Sequence, residues 1–328
     1  MRQANTKLTT VMYHYVRPLA VSSYPRLKAL ELANFEAQLD YLQSAYNIIS
    51  PFELSASLMA GTPLPEKSCL LTFDDGYTDH YQHVYPVLAA RSLTGLFFAP
   101  KCSLIERKPL EVNKVQFILA SCENPYSLAA ELDKYLLELG GHDIKLLREN
   151  YFAPNRFDGP EVAYFKRLLQ HVLQPNIRRS VIDNLFNSYV TSDISEFTED
   201  LYLTVEQAKE MREAGNEFGG HGSEHLWHAM ASEGELNREI TGSVDALTEI
   251  GAPVSGGFYS YPFGSYDDNV CKLVSDAGFQ IGFTVEPTLF SLFSGDRMRI
   301  SRLDTNDLPI KSGSQTDHWL SATKLLEG

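Results

Sequence analysis

The feature that most constrains this chain is a rhythm in its hydrophobicity. Short β-prone runs alternate with amphipathic helical stretches along most of the 328 residues. Parallel strands cannot be joined by a tight turn, so a strand followed by a helix and another strand reads as a βα unit of a parallel sheet. Seven runs qualify as strands: Thr9–Tyr13, Asn47–Ile49, Cys69–Phe73, Gly95–Ala99, Glu217–Gly220, Gly257–Tyr261 and Gln280–Val285. Helix ends between them are marked by capping chemistry. Ser50-Pro51 forms an N-cap and N1 pair, Thr204 with Gln207 and Ser232 with Glu235 fit capping boxes, and Gly215, Gly251 and Gly278 stand where helices stop. Phe35, Leu39, Leu42 and Tyr46 recur at helical spacing. Such units suit a closed β/α barrel; periodicity leaves an open doubly wound sheet as the alternative.

The rhythm fails between residues 101 and 202, where the pattern is helical: Lys114–Ser121, Tyr126–Leu139, Glu161–Leu173 and Asn176–Tyr189. The expected organisation is therefore one α/β domain from residues 1–100 and 203–328, with 101–202 as a helical insertion that is also the candidate surface for homo-oligomerisation. A formal charge of −14 argues against sequence-independent nucleic-acid binding, which needs clustered Lys and Arg to displace counterions from phosphates. No apolar run reaches the length of a membrane span, and Met1–Thr6 leads into the first strand without a signal-peptide core. The four cysteines lack CxxC spacing and read as reduced thiols. These features together predict a cytoplasmic protein that does not span a membrane.

Two stretches carry most of the chemistry. Leu71-Thr72-Phe73-Asp74-Asp75-Gly76-Tyr77 sets adjacent carboxylates at the C-terminal end of an apolar strand, the end at which β/α barrels build their sites. Adjacent residues leaving a strand point apart, so one Asp can ligate a metal while its neighbour faces the attacking water. The bland alternative is an Asp-Gly turn with solvated acids. Gly219-Gly220-His221-Gly222-Ser223-Glu224-His225 follows another strand with imidazoles at i and i+4. That spacing is weak by itself, but an Asp and two His leaving separate strand ends make an N and O donor set suited to zinc or a similar divalent ion. A third stretch, Phe258-Tyr259-Ser260-Tyr261-Pro262-Phe263-Gly264, ends in a turn that can present a backbone N–H to an oxyanion.

In this order and spacing the stretches resemble the NodB-type polysaccharide deacetylases, carbohydrate esterase family 4, over roughly Lys7 to Asp304. The Thr-Phe-Asp-Asp-Gly motif is matched in full, and Tyr85-Pro86-Val87-Leu88 is also family-like. The resemblance implies a distorted (β/α)7 barrel, Asp75, His221 and His225 as ligands of a divalent metal, and Asp74 as catalytic base. Zinc is the expected ion, with nickel, cobalt and manganese as alternatives. The Phe263 backbone N–H is the expected oxyanion donor. Three departures stand out. Gly222 occupies the position that usually holds Ser or Thr, no Arg precedes Pro262, and the late Leu-x-His motif that supplies the acid is missing, His318 being the sole histidine after residue 264. The third motif is closer to the poly-N-acetylglucosamine deacetylase branch.

His14 is the candidate replacement for the missing acid. It ends the first strand in Val11-Met12-Tyr13-His14, and first and last strands are neighbours in a closed barrel, so it can occupy the space the late motif normally fills. His80, His83 and His228 read as structural or rim histidines, and Trp227 either stacks on a sugar or packs in the core. The resulting expectation is a metal-dependent hydrolase that removes an N-acetyl group from a sugar on a nucleotide-linked or lipid-linked glycan, in surface-polysaccharide or lipopolysaccharide assembly. Hydrolysis of another small amide or ureide, and a catalytically silent barrel serving as a binding module, are the competing readings.

Overall fold

The structure is a computed structural model describing residues 7–309 together with Trp319 and Ser321. His318 and the first six residues lie outside the described part. Among the described residues eleven strands occur in the order β1 (Lys7–Tyr13), β2 (Val16–Arg17), β3 (Leu30–Glu31), β4 (Asn47–Ile48), β5 (Ser68–Asp74), β6 (Leu96–Phe98), β7 (Glu217–Gly219), β8 (Phe258–Ser260), β9 (Ile281–Phe283), β10 (Phe290–Ser291) and β11 (Leu303–Asp304). Each of the seven strands expected from the sequence is present. The chain divides into two compact units, one of residues 1–18, 29–108 and 198–328 and the other of residues 19–28 and 109–197.

The first unit is mixed α/β, and its strand pairing is predominantly parallel. Its main sheet runs β10-β1-β5-β6-β7, with β11 also paired to β1 and β4 to β5; only the β10 pairing is antiparallel. Strands β8 and β9 form a separate parallel pair, and single parallel bridges join Gly220 to Tyr259 and Phe283 to Ile300. Every residue of β5 is buried, as expected of a strand covered on both faces. Tyr13, Phe73, Phe97 and Phe218 sit opposite one another on β1, β5, β6 and β7. Their rings follow with centroids 5.1, 4.8 and 5.5 Å apart, so each adjacent strand adds one ring to a continuous aromatic row. Such offset stacking adds to the large apolar area each ring removes from water.

Capping fixes the helix ends around this sheet. Ser50, Thr204 and Ser232 each close a capping box, with Glu53, Gln207 and Glu235 as partners. Gly215, Gly251 and Gly278 follow the last helical residues with φ of 92°, 70° and 111°, a conformation that glycine adopts at little steric cost.

The second unit is helical. Phe117 and Phe186 both meet Phe197 edge-on at 4.9 Å, and Leu128, Leu132, Leu136 and Val181 of the same unit are buried. Residues 19–28 join these helices through polar contacts: Arg26 Nε donates to the Ala120 carbonyl at 2.9 Å, and Lys28 Nζ lies 2.6 Å from the buried Asp158, which also accepts from Lys166 at 2.8 Å. Among the described residues no helix is long and apolar enough to cross a membrane, and all four cysteines are free and buried.

Candidate active site

The site begins where β5 stops. Asp74 is the last strand residue and sits opposite Phe98 on β6. In a continuing strand Asp75 would point to the opposite face, but it takes φ 76° and Gly76 follows with φ 69°. Two left-handed residues turn the chain back sharply. Asp tolerates this region better than most side chains, whereas a Cβ on Gly76 would sit 2.7 Å from the Ala99 Cβ, so only glycine fits there.

Asp74 is 2% exposed and is held by a residue absent from the sequence motifs. Arg302, itself 1% exposed, donates Nη1 and Nη2 to the two Asp74 oxygens, each at 2.8 Å. Ser260 Oγ adds a bond to Asp74 Oδ2 at 3.2 Å and accepts from Arg302 at 2.9 Å. Burial alone would raise the Asp74 pKa, but the Arg302 charge, then His221, outweigh it and hold the carboxyl below its ordinary value. The acid is therefore ionised at neutral pH. A carboxylate offers about four lone-pair directions, so these donors leave it acceptor capacity.

Asp75, His221 and His225 converge on one point. Their ligand atoms all lie within 4.8 Å of one another, and all three residues are buried. Nε2 of each imidazole stands 3.3 Å from the same oxygen, Asp75 Oδ1, which is buried without a hydrogen bond. The other Asp75 oxygen accepts from the Tyr77 hydroxyl at 2.5 Å. His221 Nδ1 lies 2.8 Å from the Ser260 carbonyl; only a protonated Nδ1 can bond there, which in the neutral ring leaves Nε2 as a lone pair facing Asp75. Burial pushes His225 down to about 4 despite the attraction of Asp75, so it is a neutral imidazole at neutral pH, whereas Asp75 and Asp74 outweigh burial at His221 and raise its pKa, so that a bound cation would have to displace a proton there. Burial opposes ionisation of Asp75, but the facing His221 and the nearby His225 and His14 lower its pKa. Two imidazole lone pairs and a buried carboxylate oxygen around one space form a donor set that fits a divalent cation.

His14 belongs to the same electrostatic neighbourhood: its proximity helps to lower the pKa of Asp74 and Asp75 and to oppose protonation of His225. Its carbonyl bonds to Nε2 of the buried His80 at 3.0 Å, which fixes the backbone just after β1. Phe263 has φ 57°, and its ring packs 4.5 Å from His225 and stacks on half-buried Trp227 at 4.6 Å and 10°. His228 lies between the Leu226 carbonyl and the Tyr259 hydroxyl, at 2.9 and 2.6 Å, while His83 is half-buried on the helical stretch after Tyr77.

Comparison with known proteins agrees with this geometry. The polysaccharide deacetylase family model matches residues 61–116 and 178–282, the two blocks that carry the Asp-Asp-Gly and His motifs. Over those two blocks the chain is similar to the polysaccharide deacetylase family. YxkH of Bacillus subtilis (strain 168), named for the same family, is 38% identical over 167 residues, covering 51% of this chain and 52% of that protein. The poly-β-1,6-N-acetyl-D-glucosamine N-deacetylase of Escherichia coli (strain K12) is 32% identical over 81 residues, 24% of this chain and 12% of that protein. The match thus spans about half the length of the first relative and a small part of the second. Among solved structures, a de-N-acetylase from Aggregatibacter actinomycetemcomitans superposes with a TM-score of 0.56 at 17% identity, over 98% of this chain and 99% of that one, and so shares the fold.

Sequence reasoning missed Arg302 and the contact from Tyr77 to Asp75. The only signal for Arg302 was negative: a buried Asp pair needs a cation, and the expected position before Pro262 does not supply one. Tyr77 was visible as part of the motif, but its hydroxyl partner was not.

Proposed function

We propose that this chain is a metal-dependent carbohydrate N-deacetylase that cleaves the acetamide of an N-acetylated sugar within a glycan, releasing acetate and the free amine. The observation that carries this reading is the convergence of Asp75, His221 and His225 on one buried point, with the Arg302-bound carboxylate of Asp74 beside the same imidazole, His221. When bound, a divalent cation supplies Lewis acidity that polarises the acyl carbonyl and makes water a stronger acid; zinc is the proposed ion, and nickel, cobalt and manganese suit the same donors. Asp74 takes the proton of the attacking water, and Arg302 keeps that carboxylate ionised and aimed. His14 gives a proton to the leaving nitrogen, without which an amine is a poor leaving group. The Phe263 N–H is the proposed donor to the oxyanion, with the turn geometry at Phe263 and Gly264 supporting the assignment.

The strand connections support reading the first unit as a seven-stranded barrel. From β1 the parallel pairing passes through β5, β6 and β7, then by the Gly220–Tyr259 bridge to β8 and β9. It returns by the Phe283–Ile300 bridge to the segment entering β11, which pairs with β1. The helical unit would then be an insertion serving substrate choice or self-association. A sugar ring is the proposed occupant of the half-buried Trp227–Phe263 face, and the E. coli relative's named polymer makes N-acetylglucosamine chains the first substrates to try. Nucleotide-linked and lipid-linked N-acetyl sugars are the second set.

The test is release of acetate from β-1,6-linked and β-1,4-linked N-acetylglucosamine oligomers and from nucleotide-linked N-acetyl sugars, by Zn²⁺-loaded or Co²⁺-loaded protein, with His225→Ala as control. Acetate is expected from wild type alone. A wild type that binds metal through His225 yet releases none from any of these would overturn the assignment.

A further inference from the structure

The loop from His221 to His225 is shaped by one helix. Residues Glu233–Glu249 form a helix whose face toward the loop carries Glu239 and, one turn later, Ser243. Glu239 is 1% exposed, and its carboxylate accepts three backbone N–H groups: Ser223 at 3.2 Å, Glu224 at 2.8 Å and Leu226 at 3.1 Å. Ser243 Oγ accepts the Gly222 N–H at 2.8 Å. Four loop amides are thus bonded to two side chains at i and i+4.

The bonded amides bracket His225, which takes φ 60°, a left-handed conformation that a histidine adopts only when its surroundings over-determine it. Gly222 completes the fit. It has φ 78°, and a Cβ there would lie 2.5 Å from Glu239 Oε2, so the backbone approaches the carboxylate only because residue 222 has no side chain. Among the described residues no Lys or Arg pairs with Glu239. A buried carboxylate without a cation is costly unless its hydrogen bonds are made. Here they are made by loop backbone on both sides of a candidate ligand. An apolar residue at 239 would leave those amides unsatisfied and His225 free to relax.

We propose that Glu239 is a positioning residue that sets the divalent-metal affinity of this site by holding His225 in its left-handed conformation. The inference rests on the metal-site reading above and deepens it. Groups that support metal ligands typically change affinity about 10- to 100-fold when altered. Glu239→Gln keeps size and shape but turns one acceptor into a donor facing backbone N–H groups.

The experiment titrates metal-free protein with Co²⁺ and reads both affinity and the visible absorption spectrum, for wild type, Glu239→Gln, Glu239→Asp and His225→Ala, with far-UV circular dichroism to establish folding. Glu239→Gln should stay folded, bind Co²⁺ roughly 10- to 100-fold more weakly and show an altered spectrum; Glu239→Asp should fall between it and wild type. In the metal-free wild type, the Ser223, Glu224 and Leu226 amides should exchange with solvent at least about tenfold more slowly than in an unstructured peptide. If wild type fails to bind Co²⁺, or His225→Ala binds as well, the metal-site reading itself falls. If wild type binds through His225 while folded Glu239→Gln binds with equal affinity and the same spectrum, this inference alone is overturned. Should Glu239→Gln not fold, unprotected amides in the wild type overturn it.

Discussion

Replacing Arg302 by Met removes the charge that compensates Asp74 and leaves the carboxylate buried. Both partners are almost fully enclosed, at 1% and 2% exposure, and after the change the Ser260 hydroxyl at 3.2 Å is the one side-chain donor left to Asp74 among the described residues. Breaking a buried pair from one side costs about 3–5 kcal/mol, because the remaining charge keeps its desolvation penalty and loses its partner. At roughly 2–4 °C per kcal/mol for a domain of 150–250 residues, the melting temperature should fall by about 6–20 °C. The Asp74→Asn/Arg302→Met double variant buries neither charge. Its loss should be smaller than the sum of the single losses, with a coupling energy of roughly 1–3 kcal/mol. Arg302→Lys should be intermediate, since an ammonium cannot hold both carboxylate oxygens in a planar fork. Urea unfolding and calorimetry on the four proteins measure the cycle, and acetate release reports whether Asp74 is still aimed. Single losses that simply add, or an Arg302→Met protein within about 1 kcal/mol of wild type, would refute the reasoning.

Three further outcomes follow from contacts elsewhere. Tyr77→Phe deletes the 2.5 Å bond to Asp75 Oδ2 without changing the ring, and should weaken Co²⁺ binding roughly tenfold in a direct titration; unchanged affinity would mean that the hydroxyl does not orient the ligand. His14→Ala should bind metal as wild type does but lose at least about 10²-fold in amide turnover, and far less on an acetyl ester with a good leaving group; equal losses on both substrates would remove His14 as the acid. Asp158 is opposed by burial but lowered overall by hydrogen bonds from Lys166 and Lys28. Because its folded pKa is below its unfolded value of about 3.9, the folded state binds fewer protons. Its contribution is therefore present above that value and lost as pH falls through the folded pKa. Below about pH 4, Asp158→Asn should show a shallower fall in urea midpoint than wild type, and identical slopes would show that the pair is silent.

The parts of the molecule legible in sequence are those whose information is local. The seven strands announce themselves as apolar runs, and the Ser50, Thr204 and Ser232 boxes as residues three apart, because a cap bonds to an amide within its own turn. Strands β2, β3, β10 and β11 have two residues each, too few to display any period. The helix Ile144–Tyr151 is legible only weakly for a related reason: its 8 residues span barely two turns, and none of them is fully buried. Within the site, the carboxylate pair and the two histidines lie in compact motifs and could be named from residue type and position. Arg302 is 228 positions from Asp74, and nothing within its own neighbourhood marks it as the partner of a buried acid. The consequence of the glycine after His221 was equally hidden, since its meaning lies in a carboxylate 17 residues further on, on another element.

The sharp reversal after β5 bears on protein engineering. Two neighbouring acids can serve one pocket only where the backbone leaves the strand pattern between them, and that requires the left-handed pair Asp75 and Gly76 together with a small residue at position 99 on the adjoining segment. Grafting the acids alone onto the end of another parallel strand would deliver one carboxylate to the pocket and the other to the opposite face. A transferable unit must therefore span two strand ends, with Ala99 carried across beside the Asp-Asp-Gly turn. Any recipient scaffold with a larger side chain at that neighbouring position would reject the graft.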